Sequence, residues 1–359
     1  MARKGKSELS ATPGPQAGAS ASTTRVRTLS DLARLAGVST GTASRALANK
    51  DLVNRETREH IQALARQHGF RPNQMASKLR TQRTGLIGIA IPLGHERRQH
   101  ISDPFFLTLL GYLADELTES GYDILLSRVI PARNEDWLER LTGSGMIDGL
   151  IVIGQSNQSS LIDAVAGRYR PMVVWGSSRA GRQQCVVGTD NVKGGTLSAQ
   201  HLIDRGASKL AFLGDTAGIE IADRLSGAKA AASRAGVSLV QAAIHLSGEE
   251  MPGQIADFLD AAGSEIDGIV AASDVIAMAC LRELHQRRRH VPADIQVVGF
   301  DDLPLAAQTN PPLTTIRQDI ETGARALVER LQARIAGDDA SGLLMAPRLV
   351  IRDSTRSHT

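Results

Sequence analysis

The chain has only two cysteines in 359 residues, Cys185 and Cys280, far apart and without C-x-x-C spacing. A disulfide framework or a zinc knuckle therefore has no support, and two buried thiols in a reducing compartment is the plain reading. Aromatics are scarce too, with six Phe, three Tyr and two Trp, so each one is worth locating. Long apolar runs are missing: the longest, such as residues 86–93, hold about eight residues, where a membrane helix needs roughly 20. Near the N-terminus, Arg3, Lys4 and Lys6 are followed by Ser, Gly, Pro and Ala rather than the apolar core of a signal peptide, so export is not expected and the cytoplasm is. The whole chain, 42% hydrophobic and 22% charged, has the composition of a globular protein and is long enough for two or three domains.

Acidic residues are scarce in one region. Residues 1–84 hold 15 Lys and Arg against 5 Asp and Glu, a surplus of ten positive charges, whereas the rest of the chain carries 26 basic and 33 acidic residues. A short basic head on a long acidic body points to a polyanionic partner. A solubilising tail would confine the basic residues to the first 27 positions. Instead Arg34, Arg45, Lys50, Arg55, Arg58, Lys78 and Arg80 lie within patterned segments.

Residues 1–26 are mostly Ala, Gly, Ser, Thr and Pro, too polar to offset the entropy of ordering, and are read as a disordered tail. Thr28-Leu29-Ser30-Asp31 then reads as a capping box, followed by helix-spaced Leu32, Ala33, Leu35 and Ala36. Gly37 stops that helix, Val38 is apolar and Ser39 caps a second helix over about 40–47. Asn54 caps a third, with Ile61, Leu64 and Ala65 on its apolar face and Gly69 at its end. Two short helices joined through a glycine, with a third across them, is the helix-turn-helix arrangement.

From Gly85 the texture changes. Short apolar runs recur at 86–91, 124–126, 150–153, 172–175, 210–213, 268–271 and 295–300, separated by amphipathic stretches. One of these starts at Asp103-Pro104, an N-cap followed by Pro at the first helical position, and shows Leu109, Leu110, Leu113 and Leu117 before Gly121. Strands alternating with helices argue for parallel sheets. Periodicity alone does not decide between one barrel and two open sheets.

Several ordered motifs then resemble the lac repressor (LacI/GalR) family of bacterial transcriptional regulators. The strongest runs over residues 28–47, through Gly37-Val38-Ser39-Thr40 to Ser44-Arg45-Ala46-Leu47. Phe70-Arg71-Pro72-Asn73 with Met75-Ala76-Ser77-Lys78-Leu79 resembles the family's hinge segment. Gly188-Thr189-Asp190-Asn191, His201-Leu202, Arg224-Leu225-Ser226-Gly227, Ser273-Asp274, Val298-Gly299-Phe300-Asp301-Asp302 and Pro312-Leu313-Thr314-Thr315-Ile316 resemble its effector-domain landmarks.

The resemblance implies an all-α helix-turn-helix head over 27–72, a hinge helix or linker over 73–84, and an α/β core of the periplasmic-binding-protein type over 85–355. That core would be two open parallel-sheet subdomains, about 85–188 with 318–345 and about 190–316 with 346–355. It also implies a homodimer. By analogy the second helix enters the major groove with Thr40, Gly41 and Arg45 toward base edges. Arg45 could grip guanine with both arms, whereas Gly41 departs from the family pattern and has no side chain to read with. Thr42, Ser44, Asn54 and Thr57 would meet the phosphates, and Thr28 and Ser39 are also expected at DNA. In the hinge, Asn73, Ala76, Lys78, Leu79 and Arg80 match, with Leu79 as the minor-groove wedge. For the effector the matches are Arg224, Asp301, Ser273 and Asp274, with Phe105, Phe106 and Trp175 offering rings that can stack on a sugar.

The expected function is a ligand-responsive repressor of a carbohydrate operon, released by a neutral sugar, acting on double-stranded operator DNA. The alternatives are a regulator co-repressed by a purine or nucleoside, a solute-binding protein on the same scaffold, or an enzyme. The basic head weighs against the second. Against the third, the sequence has no phosphate-binding glycine loop, no nucleophile elbow and no paired His spacing, and neither a catalytic residue, a metal nor a cofactor is expected.

Overall fold

The computed structural model describes residues 26–49, 52–70, 83–93, 101–130, 136–246, 249–262 and 265–357. The chain divides into two units, one ending at Gln82 and the other beginning at Arg83. The hinge expectations for Asn73, Ala76, Lys78, Leu79 and Arg80 lie outside the described residues.

In the first unit, α1 (Leu29–Leu35), α2 (Thr40–Leu47) and α3 (Arg55–Gln67) follow the pattern of caps. Thr28 and Asp31 form both halves of the capping box: the Thr28 hydroxyl accepts from the Asp31 N–H, and the Asp31 carboxylate accepts from the Thr28 N–H. Gly37 turns the chain at φ +67° and Gly69 ends α3 at φ +61°, conformations that glycine adopts without a Cβ penalty. Leu32, Ala33, Ala43, Ala46, Ile61 and Ala65 form the small core, with Val38 packed against it. Leu35, read as apolar on the helix face, is instead 48% exposed.

The second unit holds two six-stranded sheets. The first contains β1 (Leu86–Pro92), β2 (Asp123–Val129), β3 (Gly149–Ile153), β4 (Met172–Trp175), β5 (Cys185–Thr189) and β11 (Leu343–Met345), in the order β11-β5-β4-β3-β1-β2. The second contains β6 (Lys209–Leu213), β7 (Ser238–Ala242), β8 (Gly268–Ala271), β9 (Gln296–Asp301), β10 (Thr314–Arg317) and β12 (Arg348–Val350), in the order β12-β10-β9-β8-β6-β7. All pairs are parallel except β10 with β12. The two orders are the same topology used twice. In each, the order reverses beside the first strand, and open parallel sheets bind ligands at that switch point, beyond the strands' C-terminal ends.

Helices α4 (Pro104–Glu119), α5 (Trp137–Gly143), α6 (Ser159–Ala166) and α11 (Ile320–Ala336) clothe the first sheet, and α7 (Asn191–Asp204), α8 (Ile219–Ala235), α9 (Met251–Ala262) and α10 (Asp274–Gln286) the second. Helix α4 buries Leu109, Leu113 and Leu117, spaced four residues apart along one face, behind the Asp103 cap and Pro104. The chain passes between the lobes after β5, after β10 and between β11 and β12. Among the described residues no helix is long and apolar enough to cross a membrane, and no cluster of His, Cys, Asp or Glu is placed to hold a metal.

Candidate functional site

Helix α2 presents Thr40, Gly41 and Arg45 to solvent, while Ala43 and Ala46 face the core. The hydroxyl of Ser39 accepts from the Thr42 N–H at 3.1 Å and lies 2.9 Å from the Thr42 hydroxyl. Asn54 accepts from the Thr57 N–H at 2.8 Å. Thr28, Ser39 and Asn54, expected at DNA, are thus the N-caps of the three helices; Thr42, Ser44 and Thr57 are half-buried. Arg45 folds back so that its Nε donates to the Gly41 carbonyl at 3.2 Å. A Cβ on Gly41 would sit 3.7 Å from both the Arg45 guanidinium and the Ser39 hydroxyl, so the site does not demand glycine for want of space.

A cavity lies between the two sheets of the second unit. The first lobe contributes Leu93 after β1, Asp103, Phe105 and Phe106 at the start of α4, Gly154 and Ser156 after β3, and Trp175 at the end of β4. The second contributes Asp215 after β6, Glu220 and Arg224 on α8, Ala272 and Ser273 after β8, and Asp301 at the end of β9. Gln318, just beyond β10, completes it. The sequence expectations Phe105, Phe106, Trp175, Arg224, Ser273 and Asp301 are therefore brought together. The rings of Phe105 and Phe106 meet edge-on with centroids 5.8 Å apart, and Phe105 lies 5.9 Å from Trp175.

Arg224 is buried and held from three directions. Its Nε donates to Asn191 Oδ1 at 2.8 Å, its Nη1 donates to the Ala272 carbonyl at 2.5 Å, and its guanidinium carbon stands 3.7 Å over the Phe300 ring. Asp301 is 3.9 Å away and accepts from Gln318 Nε2 at 2.7 Å. Burial pushes the Asp301 carboxyl up to about 7, against the pull of Arg224. Burial likewise raises Asp103 and Glu220. Asp301 has φ +122° and Asp302 φ +57°, unfavourable backbone for side-chain-bearing residues, of the kind found at ligand sites. Asp302 anchors Arg317, at the end of β10 where the chain crosses between the lobes, and Arg352, just beyond β12.

Asp274 stands apart from the other residues expected at the effector. It is fully buried and outside the cavity lining. One carboxylate oxygen accepts from the Thr315 hydroxyl at 2.5 Å and the other from the Leu303 N–H at 2.8 Å. Its work is to lock β10 and the loop after β9 onto the start of α10, while Ser273 beside it caps that helix and reaches the cavity. Missed in the sequence were Asp103, read only as a cap, and Asp215, Glu220 and Gln318. Glu220 lies four residues before Arg224, so one helical turn joins them, and that spacing was the available signal.

Two family models match the chain: one described as bacterial regulatory proteins, lacI family, over residues 28–73, and one described as a periplasmic binding protein-like domain over residues 199–355. The chain is 30% identical over 292 residues to the ribose operon repressor of Bacillus subtilis (strain 168), spanning 81% of this chain and 86% of that one. It is 28% identical over 338 residues to the HTH-type transcriptional regulator CelR of Thermobifida fusca, spanning 91% and 98%. Among solved structures, a transcriptional regulator CelR–cellobiose complex covers 91% of this chain and 99% of its own, with TM-score 0.64 at 27% identity. The lac repressor dimer bound to operator and the anti-inducer ONPF covers 92% and 99%, with TM-score 0.78 at 23% identity, a likeness of fold.

Proposed function

The chain belongs to the lacI family of bacterial regulatory proteins, and on that premise we propose that it is the repressor of a carbohydrate-utilisation operon, working in the cytoplasm as a homodimer on operator DNA and released when a neutral sugar enters the cleft. The observation that carries this reading is Arg224. A guanidinium fixed at the mouth of two parallel sheets, beside the Asp301 carboxylate and facing the Phe105, Phe106 and Trp175 rings, offers donors, an acceptor and apolar faces together. A pyranose or furanose presents hydroxyls at its rim and C–H groups on its face, and so matches all three. Among the described lining residues, four carboxylates, Asp103, Asp215, Glu220 and Asp301, stand against Arg224, a balance that disfavours a phosphorylated or acidic ligand.

At DNA, α2 reads base edges through Arg45 and Thr40, and the phosphates are met by the polar caps and by Lys78 and Arg80. Leu79 wedges into the minor groove from the 73–80 segment. The protein does its work by binding, with no reaction to catalyse. The test is selection of operator fragments from genomic DNA by the purified chain, followed by gel shift with a panel of sugars. Release of the selected fragment by a neutral sugar is the expected result. Failure to select any sequence over bulk DNA would sink the regulator reading, and tighter binding with ligand would make it a co-repressed system.

A further inference from the structure

We infer that the cleft takes a single-ring saccharide, or a polyol of that size, and that a polar clasp between the lobes is its size filter; the inference rests on the carbohydrate reading above. The cavity, open on one side, offers about 180 Å³, below the roughly 300–1,000 Å³ of clefts that take drug-sized ligands.

Helix α8 supplies the clasp. Glu220, Asp223 and Arg224 stand three and four residues apart and share a helical face. Arg224 lines the cavity. Glu220 Oε1 accepts the backbone N–H of Gln155 at 2.9 Å, and Gln155 sits between the lining residues Gly154 and Ser156. Asp223 accepts from the Arg179 guanidinium with both oxygens, at 2.8 and 2.5 Å. Gln155 Oε1 accepts from the Ser177 N–H at 2.8 Å, and the Ser177 hydroxyl accepts from Asn191 Nδ2 at 2.9 Å. The other amide atom of Asn191 accepts from Arg224 Nε. The circuit therefore closes on itself: Arg224, Asn191, Ser177, Gln155, Glu220, and back to α8.

Gly176 makes this circuit possible. A Cβ there would lie 2.5 Å from Gln155 Oε1 and 2.9 Å from Glu220 Oε1. The clasp runs beside the cavity from one lobe to the other. A ligand longer than one ring that is held wholly between the lobes requires them to part, which separates Glu220 from Gln155 and Arg179 from Asp223. Hydrogen bonds to charged groups are the stronger kind, and Asp223 is 92% buried, so stranding it is costly. Arg179 is partly exposed, which screens its share of that cost.

Calorimetric titration of the purified full chain tests this, with a panel of pentoses, hexoses, their polyols, and disaccharides built from the same units. The wild type is expected to bind at least one single-ring or open-chain compound, and to bind the disaccharides containing it at least a hundredfold more weakly. Arg179→Ala and Asp223→Asn should each narrow that gap by about threefold to tenfold. The double variant should narrow it no further than the larger single effect, because both changes remove one shared interaction. A disaccharide bound as tightly as its monosaccharide overturns the size filter and leaves the carbohydrate reading standing. If no saccharide of either size binds a protein that still selects operator DNA, both readings fall. Single variants that leave the gap unchanged overturn the clasp as its cause.

Discussion

Asp274 and His201 are the two buried polar side chains whose roles can be separated most cleanly by substitution. Asp274 spends one oxygen on the Thr315 hydroxyl and the other on the Leu303 N–H, and burial beside Asp301 holds its carboxyl well above the usual range. An amide fits the same slot, with its oxygen toward Leu303 and its NH₂ toward Thr315. Asp274→Asn should therefore unfold in urea close to wild type, whereas Asp274→Ala leaves the Leu303 N–H without its acceptor and should lose about 1–3 kcal/mol. Neither should move effector affinity; if Asp274→Asn did, the residue would belong to the binding site after all. His201 lies under the C-terminal segment, its Nε2 2.9 Å from the Thr355 hydroxyl. Burial, reinforced by Arg205, lowers its pKa from 6.5 to about 4. The folded ring thus resists a proton that the unfolded ring accepts, so its contribution is fully present above about 6.5 and is lost as pH falls toward 4. Thermal unfolding from pH 7 to 5 should fall more steeply for wild type than for His201→Gln. Parallel slopes would contradict the burial argument.

Helix α2 shows how local chemistry and function divide the same few residues. Ser39 caps it and Gly41 weakens it. Ser39→Ala should cost about 1 kcal/mol through the lost cap, and Gly41→Ala should recover up to about 1 kcal/mol of helix propensity, because its Cβ meets only ordinary contacts at 3.7 Å. Both effects are measurable as shifts in the denaturation midpoint, and a destabilising Gly41→Ala would contradict this account. The boundaries of α2 were legible to the residue because Gly37, Ser39 and the Ala43 and Ala46 spacing are all local signals. So was the start of α4, at Asp103-Pro104. Strands β5, β7, β10, β11 and β12 were not picked out from apolar runs: they are only three to five residues long, and β7 is largely solvated. The cleft was legible in its aromatics and in Arg224. It was not legible in the stacking of Arg224 on Phe300, or in Gln318 holding Asp301. Those contacts join residues that come near one another only once the sheet is wound.

The two lobes and the basic head must act as one device for the ligand to matter at DNA. The first lobe begins where the 73–84 segment ends, and its first strand is pinned there. Asp148 accepts from the Thr84 and Gly85 N–H groups at 2.5 and 2.8 Å. Motion of that lobe therefore carries Thr84 and Gly85 with it. A ligand touching both lobes fixes their relative angle, and in a dimer we propose that this angle sets the separation of the two copies of the 73–84 segment. It can shift the balance between DNA-competent and DNA-incompetent forms only by its differential affinity for them, typically about 1–3 kcal/mol. Linkage makes the effect reciprocal. If the sugar weakens operator binding by some factor, operator must weaken sugar binding by the same factor. Arg224→Ala should abolish release while leaving DNA binding without ligand intact, since the substitution lies in the cleft. The check is a pair of titrations of the inducing sugar, with and without saturating operator, at fixed salt because phosphate contacts make DNA affinity strongly salt-dependent. Weaker sugar binding on operator, by the factor seen in the gel shift, is the expected result. Equal affinities would sink the coupling, and tighter binding on operator would reverse its sign and make the ligand a co-repressor.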